Sequence, residues 1–483
     1  MNTKRIARGA LAIALITGFM ACDQGLTKVN VDPNAPTDVG PAYLMPRAIQ
    51  SAVAQTYGSW VLLSHVNIWP QQLVEIQYPD EERGQVRPGN MQGFWDSYYA
   101  GPLTDVQVVI DKGVASGDGN VQGAAMVWRA WIFHQVTDMW GDVPYSEALQ
   151  APDGVTTPSY DAQKDIYAGM LQNLTEAAGM LGSGGGDFGG GDLIYDNDFG
   201  KWKRFANSLR MRLAMRMSEV DPATAQSQFT AAYNAGGFTS NDDNAMLRWP
   251  GAPYRNPSYD NWTGRDDHGV SATMIDTLKS FADPRLALYA EPSAQDGEYR
   301  GLANGMAKPP LSIVWYSRIG NFWRADGATT PSTIMTYGEV LFLEAEAAAR
   351  GWISGDPATL YTAAIRANMN QYDEWSPTNA PTDAEIDAYL ANPRVVYNAA
   401  NGMDQIHLQQ WIALYLNGAE AWFNWRRTDT PNLTPGPDLA LSRIPVRFMY
   451  PDLEQSLNNE NYQAAVSRQG ANELTTLVWW DVH

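Results

Sequence analysis

Cysteine is nearly absent from this chain: one residue, Cys22, in 483. That excludes a disulfide scaffold and any multi-cysteine metal centre. Charge is sparse as well, at 18% against about 25% in an ordinary globular protein. Basic residues are the scarcer sign, 33 against 53 acidic, for a net charge of −20. Such a field repels polyphosphate and excludes nucleic acid as a partner. No apolar run approaches the roughly twenty residues that a transmembrane helix needs. The five histidines (His65, His134, His268, His407, His483) are scattered and form no HExxH or paired metal spacing. G-x-S-x-G and P-loop motifs are missing. Gly184, Gly186 and Gly189 match GxGxxG but sit in a polyglycine loop with no preceding strand, which argues against nucleotide binding. Asp196-Asn197-Asp198 and Asp266-Asp267 lack EF-hand spacing and read as capped, solvated acids, although a structural cation such as calcium stays open. No cofactor is expected. Carboxylates paired for glycoside hydrolysis need no proximity in sequence and also stay open, but no motif points to an enzyme.

Aromatic residues are plentiful: 18 Trp, 23 Tyr and 13 Phe. Hydrophobic residues make up 45%, enough for a sizeable core, and rule out global disorder. At the amino terminus Lys4, Arg5 and Arg8 precede an apolar run from Leu11 to Met20, the pattern of a secretory signal over residues 1–21. Cys22 follows Phe19-Met20-Ala21, which resembles a bacterial lipoprotein cleavage box with Phe19 as a loose match. Diacylation there would anchor the chain, at about 0.8 kcal/mol per buried CH₂. Residues 22–46, rich in Asn, Asp, Pro and Thr, read as an extended tether, and 47–483 as one folded body.

Helical periodicity dominates that body. Trp128, Trp131, Ile132, Gln135 and Met139 form a stripe at three- and four-residue spacing. Ile166, Met170 and Leu174 mark a second helix, and Trp202, Phe205, Leu209 and Leu213 a third, with Arg204, Ser208, Arg212 and Arg216 along another face. Leu341, Ala345, Ala348 and Ala349 mark a fourth. Asp221-Pro222-Ala223-Thr224 and Asp356-Pro357-Ala358-Thr359 echo each other as helix starts, Asp at the N-cap and Pro in the first turn. Alternating strands are not apparent. The expected fold is mainly α, a tetratricopeptide-like solenoid of helical hairpins, interrupted by long loops at 182–191, 240–270 and 296–332.

Several stretches, in order along the chain, resemble the SusD/RagB family of nutrient-binding outer-membrane lipoproteins. They are Trp128-Arg129-Ala130-Trp131 running on to Trp140-Gly141-Asp142-Val143-Pro144-Tyr145, then Asn207-Ser208-Leu209-Arg210, Leu341-Phe342-Leu343-Glu344-Ala345-Glu346-Ala347, Trp425-Arg426-Arg427-Thr428, and Ile444-Pro445-Val446-Arg447-Phe448 with Tyr450-Pro451. The resemblance implies a helical solenoid under an irregular ligand-binding half. It also implies a position in the outer membrane, lipid-anchored and facing the exterior, and a SusC-like TonB-dependent transporter as partner. The ligand it implies is usually oligosaccharide and in some members peptide. A secreted glycoside hydrolase and a purely structural lipoprotein are the rival readings. The signature motifs themselves, with Trp95 and Tyr98, read as scaffold, buried Trp and Arg–carboxylate pairs between helices.

A glycan site needs exposed aromatic faces on loops, flanked by planar polar side chains. Three clusters qualify: Asn67, Trp69, Gln71 and Gln72 followed by Glu75 and Tyr78; Tyr254, Tyr259, Asn261 and Trp262 with Arg265 and Asp266; and Trp315, Tyr316, Arg318, Asn321, Trp323, Arg324 and Asp326. From these the expected ligand contacts are Trp69, Tyr78, Tyr259, Trp262, Arg265, Trp315, Asn321, Trp323 and Arg324, led by Trp69, Trp262 and Trp323.

Overall fold

The computed structural model describes residues 38–483, so the expected signal segment, Cys22 and most of the expected tether lie outside the described residues. Helices of eight or more residues are numbered α1 to α15. The first, α1 (Pro41–Thr56), opens inside the segment expected to be tether, because Met45, Ala48, Ile49, Ala52 and Val53 form an apolar face that is fully buried. A π-helical turn, Ser59–Val66, follows it. The helical half then runs through α2 (Pro88–Tyr98), α3 (Thr104–Ser116), α4 (Gly119–Trp140), α5 (Gln163–Met180), α6 (Phe199–Arg216) and α7 (Pro222–Ala235). After α8 (Pro257–Gly264) and α9 (Ala272–Phe281) it resumes with α10 (Tyr337–Ala349), α11 (Pro357–Asn370), α12 (Asp383–Leu390), α13 (Gly402–Ala413), α14 (Glu420–Thr428) and α15 (Asn459–Gln469).

Consecutive helices from α3 to α7 pack each on the next, α10 pairs with α11, and α10 bridges back to both α6 and α13. The fold is therefore mainly α, a stack of helical hairpins. The two echoed helix starts are real: Asp221 accepts the Thr224 backbone N–H at 3.2 Å and Asp356 that of Thr359 at 3.0 Å, opening α7 and α11 with Pro at the first position. The aromatic stripe on α4 has no solvent side to oppose it. Nearly every residue from Asn120 to Trp140 is buried, so this is a central helix wrapped by its neighbours and not an amphipathic surface one.

Ion pairs sealed between helices hold the signature segments. On α6, Arg212 Nε lies 2.6 Å from Glu339 of α10, and Arg216 pairs with Glu420 of α14 and, at 3.5 Å, with Asp138 of α4. Glu346 of α10 takes Arg427 of α14 at 2.8 Å and His407 of α13 at 3.1 Å. Burial alone would raise the Glu346 pKa, yet the Arg427 guanidinium, with His407 beside it, holds it well below the carboxylate range. A buried carboxylate is tolerated here because its charge is matched. The closing segment latches onto α4, with Phe448 N–H donating to the Met139 carbonyl and the Trp140 indole donating to that of Met449. Trp95 and Tyr98 are buried as expected. The glycine-rich loop packs on the start of α4; a Cβ at Gly184 would come within 2.7 Å of the Asn120 nitrogen. No described helix is long and apolar enough to cross a membrane.

Strands are few and short. Leu73–Glu75 (β1) pairs antiparallel with His268–Val270 (β3), setting Glu75 opposite His268. Ala245–Leu247 (β2) pairs with Ser332–Met335 (β6), and Ala290–Glu291 (β4) with Arg318–Ile319 (β5). These ladders tie the irregular half together, and the first of them builds the candidate site.

Candidate ligand-binding cleft

The β1–β3 pairing brings the segment after α1 against the mid-chain segment after α8, and a cleft of about 580 Å³ opens over the join. Two aromatic rings line it from the first segment. Trp60 enters at the start of the π-helical turn, where Val61 to Val66 all point inward and Trp60 alone stays 48% exposed. Tyr78 lies just past β1 in the left-handed region, with φ +57°, and is 60% exposed. A non-glycine residue there is uncommon and costs on the order of 1–3 kcal/mol.

Each ring is backed by an arginine. Arg87 sits 5.2 Å from the Trp60 ring and Arg265 4.6 Å from the Tyr78 ring. Each arginine is in turn held by a carboxylate: Arg87 by Glu81 at 2.9 Å, Arg265 by Asp267 at 2.7 Å. One ring face is thereby covered by a cation while the ring as a whole remains open to solvent. Fixed aromatic planes next to planar donors and acceptors suit a sugar, whose C–H faces stack and whose hydroxyl edges hydrogen-bond.

The floor is polar and uncharged. His268 Nδ1 lies 3.3 Å from the Asn261 amide and its Nε2 3.4 Å from the Ser64 hydroxyl. Burial pushes the imidazole pKa down to about 4, so it is neutral. Burial, reinforced by Glu82 and Glu81, pushes the Glu75 carboxyl well above its usual range. Behind it, burial raises Glu82 to about 8. These two acids hold each other through reciprocal bonds, the Glu75 N–H donating to Glu82 at 3.2 Å and the Glu82 N–H to Glu75 at 3.3 Å.

Of the residues expected from sequence, Tyr78 and Arg265 line this cleft, with Glu75 and Asn261 beside them. Trp69 does not: it is 2% exposed, 4.9 Å from Trp422 and edge-on to Phe448. Its neighbours Asn67 and Gln72 are also interior, donating to the carbonyls of Gly418 and Trp411. The segment that looked like a binding loop is a staple onto α13 and α14. Trp262, expected as a platform, is 9% exposed and turns inward against His268, because α8 lays that face on the π-helical turn. Trp323 is half-buried among Phe322, Tyr289 and Tyr415. Arg324 is spent on Asp266 at 2.7 Å together with Arg318, which also removes Asp266 as a free cation ligand. The Asn321 backbone N–H donates to Glu291. Tyr259 and Trp315 are half-buried outside the cleft, each under an arginine, Arg255 at 5.4 Å and Arg300 at 5.2 Å. Trp60, Ser64 and Arg87 were not foreseen; Trp60-Val61-Leu62-Leu63 reads as core, and only the Gly58-Ser59 step before it hints at a change of direction.

This architecture has known relatives. The SusD-like family model described as "Starch-binding associating with outer membrane" matches residues 33–451. The chain belongs to that SusD-like family. Among solved structures, one named a chitin-binding protein is 31% identical over 92% of this chain and 100% of its own, with a TM-score of 0.82. A Bacteroidetes SusD-like protein is 25% identical over 92% and 100%, with a TM-score of 0.83. A chitin-binding SusD homologue from Flavobacterium johnsoniae is 26% identical over 92% and 98%, with a TM-score of 0.77. No curated protein sequence matches this one significantly.

Proposed function

We propose that this protein is a lipid-anchored receptor on the outer face of the outer membrane. It captures oligosaccharide in the Trp60–Tyr78 cleft and passes it to a SusC-like TonB-dependent transporter, with no chemistry of its own and no cofactor. The observation that carries the reading is the pair of exposed rings, each backed by an arginine, over a polar floor. Two structural relatives named for chitin make an N-acetylglucosamine polymer the first ligand to try. Capture without hydrolysis is favoured by the state of the acids. The lining acid Glu75 accepts the Glu82 backbone N–H, and the lining acids Glu81, Asp260 and Asp267 are each ion-paired to an arginine. A retaining or inverting hydrolase needs two free carboxyl groups facing the bond between sugars.

An affinity of about −4 to −8 kcal/mol, millimolar to micromolar, suits a receptor that must release its cargo. The test is retardation in native gels containing soluble chitin derivatives or starch. Trp60→Ala and Tyr78→Ala are expected to lose retardation at least tenfold while their melting temperatures stay within a few degrees of wild type. Full retention in both variants removes this cleft from the binding site, and release of new reducing ends would make the protein a hydrolase.

A further inference from the structure

Resting on that reading of the cleft, we propose that it selects uncharged glycans, with Arg87 and Arg265 acting as positioning residues for the rings and not as anion receptors. Beside the uncharged Glu75 carboxyl of the floor, three carboxylates (Glu81, Asp260, Asp267) and only two guanidiniums (Arg87, Arg265) line the cleft. Both guanidiniums are already committed twice, to a carboxylate and to a ring face. Asp260 is paired with Arg255 from outside the lining, at 2.8 Å.

The same three-part unit of ring, arginine and acid recurs nearby at Tyr259–Arg255–Asp260 and at Trp315–Arg300–Asp296, with ion-pair distances of 2.8 and 2.9 Å. The unit is a general way this chain fixes a ring, since Tyr389–Arg285–Asp283 builds it in the core as well; at Trp60 and Tyr78 it holds still a ring that stays open to solvent before a sugar arrives. Fixing the plane in advance lowers the ordering cost of binding. A uronate or sulfate ester arriving here would have to draw Arg265 away from Asp267 or Arg87 from Glu81. Either exchange leaves an unmatched carboxylate beside the new anion and uncovers a ring face. The net charge of −20 adds long-range repulsion. A neutral sugar needs neither arginine to move.

The experiment compares wild type, Asp267→Asn, Glu81→Gln and the Trp60→Ala/Tyr78→Ala double variant in native gels at low ionic strength. The gels contain glycol chitin or amylopectin as neutral polymers, and polygalacturonate or dextran sulfate as polyanions. Wild type should be retarded by a neutral polymer and at least tenfold less by either polyanion. Asp267→Asn, which frees the Arg265 guanidinium, should gain retardation by polygalacturonate at least threefold, with Glu81→Gln gaining in the same direction through Arg87. Wild-type retention by a polyanion that the double ring variant loses overturns the selectivity while leaving the cleft in place. Failure of both single variants to gain overturns the positioning role. Neutral retention that survives in the double ring variant overturns the cleft reading itself, and the selectivity with it.

Discussion

Glu82 shows how far a single side chain can be moved from its ordinary chemistry. Burial raises its pKa to about 8, against 4.5 in the open chain, so the fold holds it protonated at neutral pH. The unfolded chain ionises it, so the native state binds the extra proton and stability falls as pH rises between those two values. Below about 4.5 the contribution is complete; above about 8 it is gone. Glu344, raised by burial to about 7, and Glu75, raised well above its usual range by burial and by Glu82 and Glu81, slope the same way. Melting temperature should therefore decline from pH 5 to pH 8.5, and Glu82→Gln should flatten that decline even if the variant melts lower at every pH. An equal slope in the variant would show that Glu82 is ionised in the fold. Trp60 and Tyr78 belong to this scale too. They are among the rings the chain leaves open, with Tyr43 and Tyr254, while Trp69 and Trp262 are interior.

At the scale of elements, three residue pairs of one ladder do the joining. Leu73 faces Val270, Val74 faces Gly269 and Glu75 faces His268. At Gly269 a third backbone comes close, since a Cβ there would lie 2.8 Å from the Ser317 carbonyl oxygen. Gly269→Val should push β3 away from the 317–319 segment, at a cost of about 1–3 kcal/mol for overpacking. Because Tyr78 and Arg265 flank this ladder on its two strands, the same change should cut glycan retardation at least tenfold. Thermal melts and affinity gels on one preparation check both effects. Unchanged retardation would mean the ladder does not set the cleft.

At the scale of the whole molecule, the helical half and the irregular half divide the work. The first is locked by inter-helix ion pairs such as Arg212–Glu339 and Arg427–Glu346, and the second carries the cleft on short ladders. Cys22 lies outside the described residues, but its expected role has a direct test. Cys22→Ala should shift the protein from the membrane fraction to the soluble fraction of cells, with glycan retardation of the purified body unchanged. Retention in the membrane fraction would remove the lipid anchor from the account.

Helix positions, helix starts and the scaffold motifs were legible because they depend on local rules. Asp-Pro caps act over one turn, and apolar spacing at three and four residues declares a buried face wherever the chain lies. The loops declared themselves only in part by Gly, Pro and Asn, since the stretch 240–270 also carries α8 and the short strands β2 and β3. Which loop aromatics face solvent was not legible, because local sequence points the wrong way: Trp60 leads into the apolar run Val61-Leu62-Leu63 and is exposed, while Trp69 leads into Pro70-Gln71-Gln72 and is buried. Exposure is decided by what arrives from distant segments: Trp422 and Phe448 close over Trp69, while Arg87 settles on Trp60 and leaves it 48% exposed. The sequence alone determined a mainly helical, acidic, cysteine-poor body rich in aromatic rings. The tertiary structure alone decided which rings are left open, since burial is a property of contacts between segments far apart in the chain.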